Sequence, residues 1–306
     1  MKRIIQLNTF PAIVFLTSLI ACNSFAGDPY RTEVFNADNI KNVDVGTSGG
    51  SITVYGGELK NAKVEMYVKT NWGSKNRGSI KSKLDNYDIK IAMEGNTLIA
   101  RAKKTGGGWN NGLNISFKVF VPSNVSSTLH TSGGSITMAG LKGRQELKTS
   151  GGSIKIKEVD GTTDAVTSGG SINIERYIGS IDARTSGGSI SVNDGKGDFK
   201  LNTSGGSIRL DRLAGSIDAT TSGGGISADL TEAEGAITLK TSGGGIRVNM
   251  PANLGLDLDL RGNNVDVQLS NFSGEAKRDR VKGRMNGGGI PVTLATSGGG
   301  VHLDFH

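Results

Sequence analysis

A repeated motif constrains the fold of this chain more than any other feature. Thr-Ser-Gly-Gly-Ser-Ile, or a variant ending in Gly-Ile or Gly-Val, recurs along most of the 306 residues. Five successive intervals are 18 residues each, and a fixed period of that length is typical of a solenoid of stacked units. The copies begin at Thr47, Thr131, Thr149, Thr167, Thr185, Thr203, Thr221, Thr241 and Thr296.

The residues between the motifs predict strands rather than helices. Apolar and polar side chains alternate with a period of two, which is the pattern of a half-buried strand. We expect the apolar set of each unit to point inward. In the unit that opens at Thr203 the set is Ile208, Leu210, Leu213, Ile217 and Ala219.

Glycines predict the corners of each unit, which we interpret as two short strands. The Gly-Gly pair serves the first corner, and a further glycine twelve residues after the opening threonine marks the second, where we expect a positive φ. After Thr221 the period lengthens to 20 residues and the equivalent glycine is Gly235, so we expect the insertion in the turn before that corner. The second-corner glycines are Gly143, Gly161, Gly179, Gly197 and Gly215.

The opening threonine of each unit shares the parity of the inward residues. We therefore expect its hydroxyl to be buried and to bond to the threonine of the next unit. The fold class that follows is all-β: a parallel β-helix or β-solenoid with 18-residue rungs, expected to be right-handed, with a small β-rich elaboration near the N-terminus.

Departures from the period divide the chain into five parts. We assign residues 1–26 to a signal peptide and 27–56 to an N-terminal strand and the first rung. Residues 57–130 form a basic, β-rich excursion that caps one end, with a short helix at 79–86. Residues 131–250 are the regular solenoid, and 251–306 are longer rungs with a final strand expected to close the far end.

The first 26 residues predict export. Lys2 and Arg3 precede an apolar run that continues to Ile20, as in a secretory signal. Cleavage after Ala26 competes with a lipobox-like segment that would lipidate Cys22. No later apolar run approaches membrane-spanning length. We expect the protein in the periplasm, the outer membrane or at the cell surface of a bacterium.

Positive charge is concentrated in the excursion. Residues 57–130 contain twelve Lys or Arg and five Asp or Glu, an excess equal to the net charge of +7 of the whole chain. This segment is either a solvated face or a surface for an anionic glycan, lipopolysaccharide or an envelope protein; no nucleic-acid partner is expected. The candidate ligand-binding residues are Trp72, Lys75, Arg77, Lys103, Lys104 and Trp109.

The motifs give no support to an enzyme or a metal protein. The turn offers no carboxylate to calcium, and the phosphate-loop spacing from Gly73 to Gly78 has Ser79 where lysine is required. His302, Asp304 and His306 alternate near the C-terminus, but we expect no metal there. No nucleophile has an evident base. We therefore expect no catalytic residues, no metal and no cofactor.

The repeats and three other segments together resemble the bacterial putative-adhesin family, a domain of unknown function common in envelope proteins of Bacteroidetes-like bacteria. The resemblance covers nearly all of the mature chain. It implies a β-solenoid and an exported location, and it supplies no catalytic or binding residues. The three segments are Tyr87-Asp88-Ile89-Lys90, Ile115-Ser116-Phe117-Lys118-Val119-Phe120-Val121-Pro122 and Asn286-Gly287-Gly288-Gly289-Ile290-Pro291-Val292.

The sequence thus predicts a non-enzymatic envelope scaffold or adhesin-like binding protein of unknown ligand. Two alternatives stay open: a carbohydrate-active β-helix, either a polysaccharide lyase or a glycan-binding module, and a self-assembling filament. The repeat supports the fold and does not choose among these functions.

Deleting residues 185–202, one whole rung, should leave a folded and slightly less stable protein, because stacked repeats contact only their neighbours. A thermal melt followed by circular dichroism checks this. Loss of the cooperative transition would contradict the repeat interpretation.

Overall fold

The computed structural model describes residues 27–70, 77–106 and 112–306. The predicted signal segment with Cys22, and the candidate residues Trp72, Lys75 and Trp109, lie outside these ranges. The described residues form 23 strands and one short helix. None of their helices is long and apolar enough to cross a membrane.

The elements fall into three runs along the chain. The N-terminal run is β1 (Arg31–Asn36), β2 (Asn42–Thr47), β3 (Ile52–Gly57), β4 (Asn61–Thr70), α1 (Arg77–Leu84), β5 (Tyr87–Glu94), β6 (Thr97–Lys104) and β7 (Leu113–Pro122). The middle run is β8 (Ser126–Thr131), β9 (Ile136–Ala139), β10 (Lys142–Lys148), β11 (Ile154–Thr167), β12 (Ile172–Thr185), β13 (Ile190–Thr203), β14 (Ile208–Thr221), β15 (Ile226–Glu232), β16 (Ile237–Thr241) and β17 (Ile246–Met250). The C-terminal run is β18 (Leu256–Arg261), β19 (Val265–Val267), β20 (Phe272–Ala276), β21 (Arg280–Met285), β22 (Ile290–Thr296) and β23 (Val301–Phe305).

The middle run is the predicted β-solenoid. Strands β11 to β14 pair in parallel, each residue with the one 18 positions later, as in Ile172 with Ile190 and Thr185 with Thr203. The alternating apolar side chains are buried, including Ile208, Leu210, Leu213, Ile217 and Ala219. Both the period-two alternation and its inward parity are therefore confirmed.

Each regular rung turns at three points, so the interpretation as two strands with two corners was wrong. The predicted corner at the glycine twelve residues after the opening threonine is confirmed, with φ of +120° at both Gly179 and Gly215. A further corner lies three residues earlier, where non-glycine residues have φ between 50° and 64°. Such residues uncommonly adopt this conformation, so nothing in their identity marked the turn. They are Glu158, Arg176, Asp194 and Arg212.

The longer rung after Thr221 accommodates its extra residues as expected. Strand β15 ends at Glu232 and β16 begins at Ile237, while the rung below runs on as one strand. On either side of this break Ile226 pairs with Ile208 and Ile237 with Ile217. The extra residues therefore lie in the turn between β15 and β16, and the pairing of β15 with β14 shifts register on both sides of Leu213.

The opening threonines are buried as predicted, but their hydrogen-bond partners differ from the prediction. The Thr149 hydroxyl donates to the carbonyl oxygen of Gly134 in the preceding rung at 2.8 Å and accepts from the Gly152 N–H at 3.4 Å. The hydroxyl thereby acts as donor and acceptor at once. We call this pair of bonds the threonine clip. The same donation to a glycine carbonyl is made by Thr131, Thr167, Thr185, Thr203, Thr221, Thr241 and Thr296.

The two glycines of each motif are constrained differently. A Cβ on Gly188 would lie 2.1 Å from the carbonyl oxygen of Gly170, which no real contact allows. A Cβ on Gly187 would lie 3.5 Å from the nearest atom, the carbonyl oxygen of Gly169. In this rung close stacking therefore requires the second glycine and tolerates a side chain at the first, whereas a Cβ on the first glycine of the later motifs, Gly243 and Gly298, would also lie 2.9 Å from a backbone oxygen.

At the N-terminal end the first rung lies one layer inside the molecule. Strand β2 pairs with β8 on one side and β6 on the other, and β3 pairs with β9 and β7. Outside this layer β5 adds to β6, and β4 and then β1 add to β7, all antiparallel. The hairpin of β5 and β6 turns at Gly95, where φ is +59°. We call β1, β4, α1 and β5 to β7 the cap.

The C-terminal end has the same arrangement, so the expectation that the final strand closes the far end was wrong. Strand β22 lies between β16 and β18, and β23 lies between β17 and β19. Residues 256–285 form the outer layer, where β21 pairs antiparallel with both β18 and β20. If β22 and β23 formed the end of the solenoid, the backbone N–H and C=O groups along their outer edges would be unpaired. Strands of the outer layer pair with these edges instead.

The adjacent glycines of one corner give a matched test of close stacking. Gly188→Ala should cost about 2–4 kcal/mol of unfolding free energy, because its methyl group meets a backbone oxygen that cannot move alone. Gly187→Ala should change that energy by about 0.5 kcal/mol or less. Denaturant unfolding of both variants measures this difference, and equal losses would show that rung contact does not set the requirement.

Candidate functional site

The predicted site residues within the described ranges do not form one cluster. Arg77 begins α1, whereas Lys103 and Lys104 end β6. Lys103 is exposed and pairs with Asp88 across the hairpin, and Lys104 is partly buried opposite Tyr87. Neighbouring residues on a strand point to opposite faces, so these two lysines cannot serve one surface together.

Many charged side chains on the solenoid body form ion pairs, several of them between rungs. Glu175 contacts both Lys155 and Lys157, at 3.6 and 3.7 Å. Lys196 lies 3.2 Å from Glu232 and 3.1 Å from Glu234, and hydrogen bonds to these carboxylates raise its pKa. Lys157 and Glu175 occupy equivalent positions of successive rungs, whereas Lys196 reaches Glu232 across the intervening Ala214. The remaining body pairs include Arg176 with Glu158, Arg184 with Asp164 and Asp182, and Lys200 with Asp182.

The cap segment differs from the body in net charge. Residues 57–130 contain seven more Lys or Arg than Asp or Glu, whereas residues 131–250 contain thirteen of each. Acidic partners in this end of the chain are found for Arg31, Lys63, Lys90 and Arg101. Lysines that form no ion pair with the described residues include Lys60, just before β4, and Lys69, Lys81, Lys83 and Lys103.

Two aromatic rings and two lysines form a cluster on the outward face of β3, β4 and β7. The rings of Tyr55 and Phe120 stack with centroids 5.7 Å apart. The Lys118 ammonium lies 5.1 Å from the Phe120 centroid and 5.7 Å from that of Tyr55, and Lys63 lies 4.6 Å from Phe120. These are cation–π distances. We call these four residues the aromatic cluster.

The aromatic cluster was missed by sequence analysis, although one sign of it was present. Phe117, Val119 and Val121 have the inward parity of β7 and are buried, so Phe120 must point outward. An outward aromatic residue in an otherwise regular alternation is a recognisable feature. Its partners Tyr55 and Lys63 come from other strands, and only the register of those strands identifies them.

Glu65 fixes the position of Lys63 beneath this cluster. Its carboxylate lies 2.6 Å from the Lys63 ammonium and accepts a 2.9 Å hydrogen bond from the Tyr67 hydroxyl. Burial opposes ionisation, but these hydrogen bonds and the charges of Lys63 and Lys118 outweigh it, so the pKa of Glu65 is lowered from 4.5. Burial, followed by the bond to Glu65, raises the pKa of Tyr67 to about 12.

A groove of about 370 Å³ lies where the cap meets the first rungs, and we call it the cap groove. Arg101 lines it and forms a two-pronged pair with Asp44, with Nε to Oδ1 at 3.0 Å. The hydrogen bond to Asp44 raises the pKa of Arg101. Gly46 forms part of the floor between Arg101 and His130. The other lining residues include Lys103, Ser48, Thr128 and Ser132.

Two further grooves lie on the body and near the C-terminal end. The first, of about 510 Å³, is lined by Asp182, Asp198, Asp218 and Lys200 among others. Sequence analysis did not foresee this carboxylate group, because Asp198 stands in a different column of the repeat from the other two.

The second of these grooves has a volume of about 580 Å³ and contains His302. The Nδ1 of His302 lies 2.9 Å from Asp266, and its Nε2 lies 2.8 Å from Asp304. His306 contacts Asn249 instead. No group of three His, Cys, Asp or Glu side chains in the described part of the chain could hold a metal ion.

Comparisons with known proteins give a family match and several similar solved structures, among them two bacterial proteins. A family model described as Toastrack DUF4097 matches residues 43–304. A putative adhesin from Bacteroides fragilis NCTC 9343 is 13% identical, with a TM-score of 0.42 over 90% of this chain and 96% of that one. A putative cell adhesion protein from Clostridium sporogenes ATCC 15579 is 9% identical, with a TM-score of 0.22 over 91% of this chain and 100% of that one. No curated protein matches the chain.

The lowered pKa of Glu65 predicts how acid changes the stability of the cap. Its stabilising contribution is fully present above the ordinary pKa of 4.5 and is lost as pH falls through the lower folded-state value. Glu65→Gln should therefore cost roughly 1 kcal/mol at neutral pH, the scale of one charge-assisted bond at a partly exposed site, and much less at strongly acidic pH. Melts at both pH values test this, with Glu33→Gln as the control for removing a carboxylate from neighbouring strand β1. An unchanged gap would contradict the assignment.

Proposed function

The family match spans most of the chain, which therefore belongs to the Toastrack DUF4097 family. We propose that the protein is an exported, non-enzymatic, adhesin-like scaffold that binds an anionic glycan with its cap. The observation that carries the proposal is the contrast between residues 131–250, whose charges sum to zero, and residues 57–130, which have an excess of seven positive charges. Clustered charge of one sign concentrates partners of the opposite sign.

The solenoid body suits a supporting role. Its rungs are fixed by continuous parallel pairing and a buried apolar interior. Its charges sum to zero over residues 131–250, which leaves little net field to attract a charged ligand. A body of this kind holds the cap at one end of a rigid stack.

A glycan fits the cap better than a simple ion does. The aromatic cluster places two rings beside two ammonium groups, and rings of this kind contact the apolar faces of sugars while ammonium groups attract their carboxylates or sulfates. The cap groove adds exposed hydroxyls and a further lysine, Lys103. These features extend over two faces of the cap, as binding to a polymer requires.

The N-terminal segment supports the exported location in this proposal. The basic residues and apolar run before Ala26 have the composition of a secretory signal. Whether the chain is cleaved after Ala26 or lipidated at Cys22, the described fold begins only a few residues later. The cap, which contains β1, would then be the part of the solenoid nearest to any anchor.

Matched charge variants test the proposal. One variant replaces Lys60, Lys69, Lys81 and Lys83 of the cap with glutamine; the control replaces Lys155, Lys157, Lys196 and Lys200 of the body, so both lose the same charge. Affinity for polygalacturonate should fall roughly tenfold or more in the cap variant and change little in the control. Binding by the native protein should weaken as salt rises.

Equal losses in the two variants would show that net charge alone drives binding, and no binding by the native protein would refute the proposal. The same samples are assayed for new reducing ends. Turnover of the polymer would instead favour a carbohydrate-active enzyme, with the carboxylates and Lys200 of the 510 Å³ body groove as the first residues to examine.

A further inference from the structure

Gly46 lies at the floor of the cap groove, and nothing in the fold requires a glycine there. Its φ is not positive, and an added Cβ would contact only Cγ of Arg101, at an ordinary 3.5 Å. Gly50, four residues later, is different, because a Cβ there would lie 2.0 Å from the carbonyl oxygen of Ile115. The fold explains Gly50 and leaves Gly46 unexplained.

The position of Gly46 carries a side chain in the neighbouring strand and in every regular rung. It pairs with Arg101 of β6 on one side and with His130 of β8 on the other. Removing one side chain from such a column leaves a notch two strand spacings wide between those residues. The column continues with Lys148, Val166, Arg184, Asn202, Thr220, Lys240 and Ala295.

The groups around this notch suit an acidic sugar. Arg101 is held by Asp44, so its guanidinium forms a fixed wall and much of its charge is compensated. Lys103 has no carboxylate partner in the described structure and is exposed, as are Thr128 and His130. A lysine can pair with one carboxylate, while hydroxyl and imidazole groups exchange hydrogen bonds with sugar hydroxyls. The groove volume of about 370 Å³ accommodates a single sugar unit.

We propose that the cap groove seats one uronate unit of an anionic glycan, with its ring over Gly46 and its carboxylate at Lys103. This rests on the proposed function and deepens it by naming the subsite and the chemistry of the unit. Glycine at position 46 is then a requirement of the ligand. The absence of a side chain provides the space that the sugar ring occupies.

The three histidines of the chain make this subsite directly observable by NMR. His130 lines the groove, whereas His302 and His306 lie in and beside the C-terminal strand β23. Titration of the protein with tetragalacturonate should shift the ring resonances of His130 and leave those of the other two unchanged. Maltotetraose, a neutral oligosaccharide, should shift none of them.

Two valine substitutions in the same column distinguish the effect of filling the notch from a general effect of valine. Gly46→Val should weaken tetragalacturonate binding at least about tenfold while leaving the melting temperature unchanged or higher, because valine suits a strand better than glycine does. Asn202→Val, far from the groove, should leave binding unchanged. Lys103→Gln should weaken binding without altering the notch.

The outcomes distinguish this inference from the proposed function. If Gly46→Val binds as tightly as the native protein while the cap-lysine variant loses affinity, the groove assignment is overturned and the proposed function stands. Shifts of His302 or His306 in place of His130 also overturn the assignment. If the native protein binds neither polygalacturonate nor tetragalacturonate, both proposals fall.

Discussion

The whole solenoid depends on how closely consecutive corners stack. At each corner the second glycine lies against the carbonyl group of its equivalent in the rung below, with no room for a Cβ. The threonine clip then joins the two corners through a buried hydroxyl, at 2.6 to 2.8 Å from the carbonyl oxygen. Without the glycine the rungs could not approach, and without the hydroxyl a buried carbonyl would lose a donor. One short motif therefore fixes both the spacing and the registry of the stack.

The same contact extends to both ends of the regular body. The hydroxyl of Thr47 bonds to the carbonyl oxygen of Ile115 in β7, at 2.7 Å, so the cap is held by the bond that holds one rung to the next. At the other end Thr296 bonds to Gly244. Irregular segments are thus joined to the solenoid by the chemistry of the repeat, although they do not share its period.

Much of the fold could be predicted from the sequence because the repeat reports local requirements. The alternation of apolar and polar residues predicted which side chains point inward, and the glycines at a fixed distance from the opening threonine predicted one corner. Both features follow from the geometry of a single chain. The corner at Glu158 and its equivalents was missed because charged residues there adopt a positive φ only under the constraint of stacking. The position of β23 was missed because its neighbours, β17 and β19, are set by pairing between distant segments.

The candidate site, like the fold, could be predicted from the sequence only in part. The charge excess of the cap is a property of composition and was predicted, but which lysines are uncompensated depends on partners such as Glu65 and Asp44 that only the fold identifies. The alternation of side chains along β6 could have shown from the sequence that Lys103 and Lys104 point to opposite faces. The missing side chain at Gly46 is informative only because Arg101 and His130 flank it in the sheet. Both residues are distant from Gly46 in sequence.

The first rung and the last two strands, β22 and β23, each lie beneath an outer layer, and at the C-terminal end this determines the order in which the molecule can be completed. Strands β18 and β19 leave the ribosome before β22 and β23, yet among the described residues β19 has no other strand partner, and β18 would be left with β21 alone. A chain that stops before residue 290 therefore exposes the open edges of β16 and β17 and cannot dock its own C-terminal layer. Closure of the solenoid therefore requires β22 and β23, and chains that lack them are left with unpaired strand edges of the kind that associate with other chains.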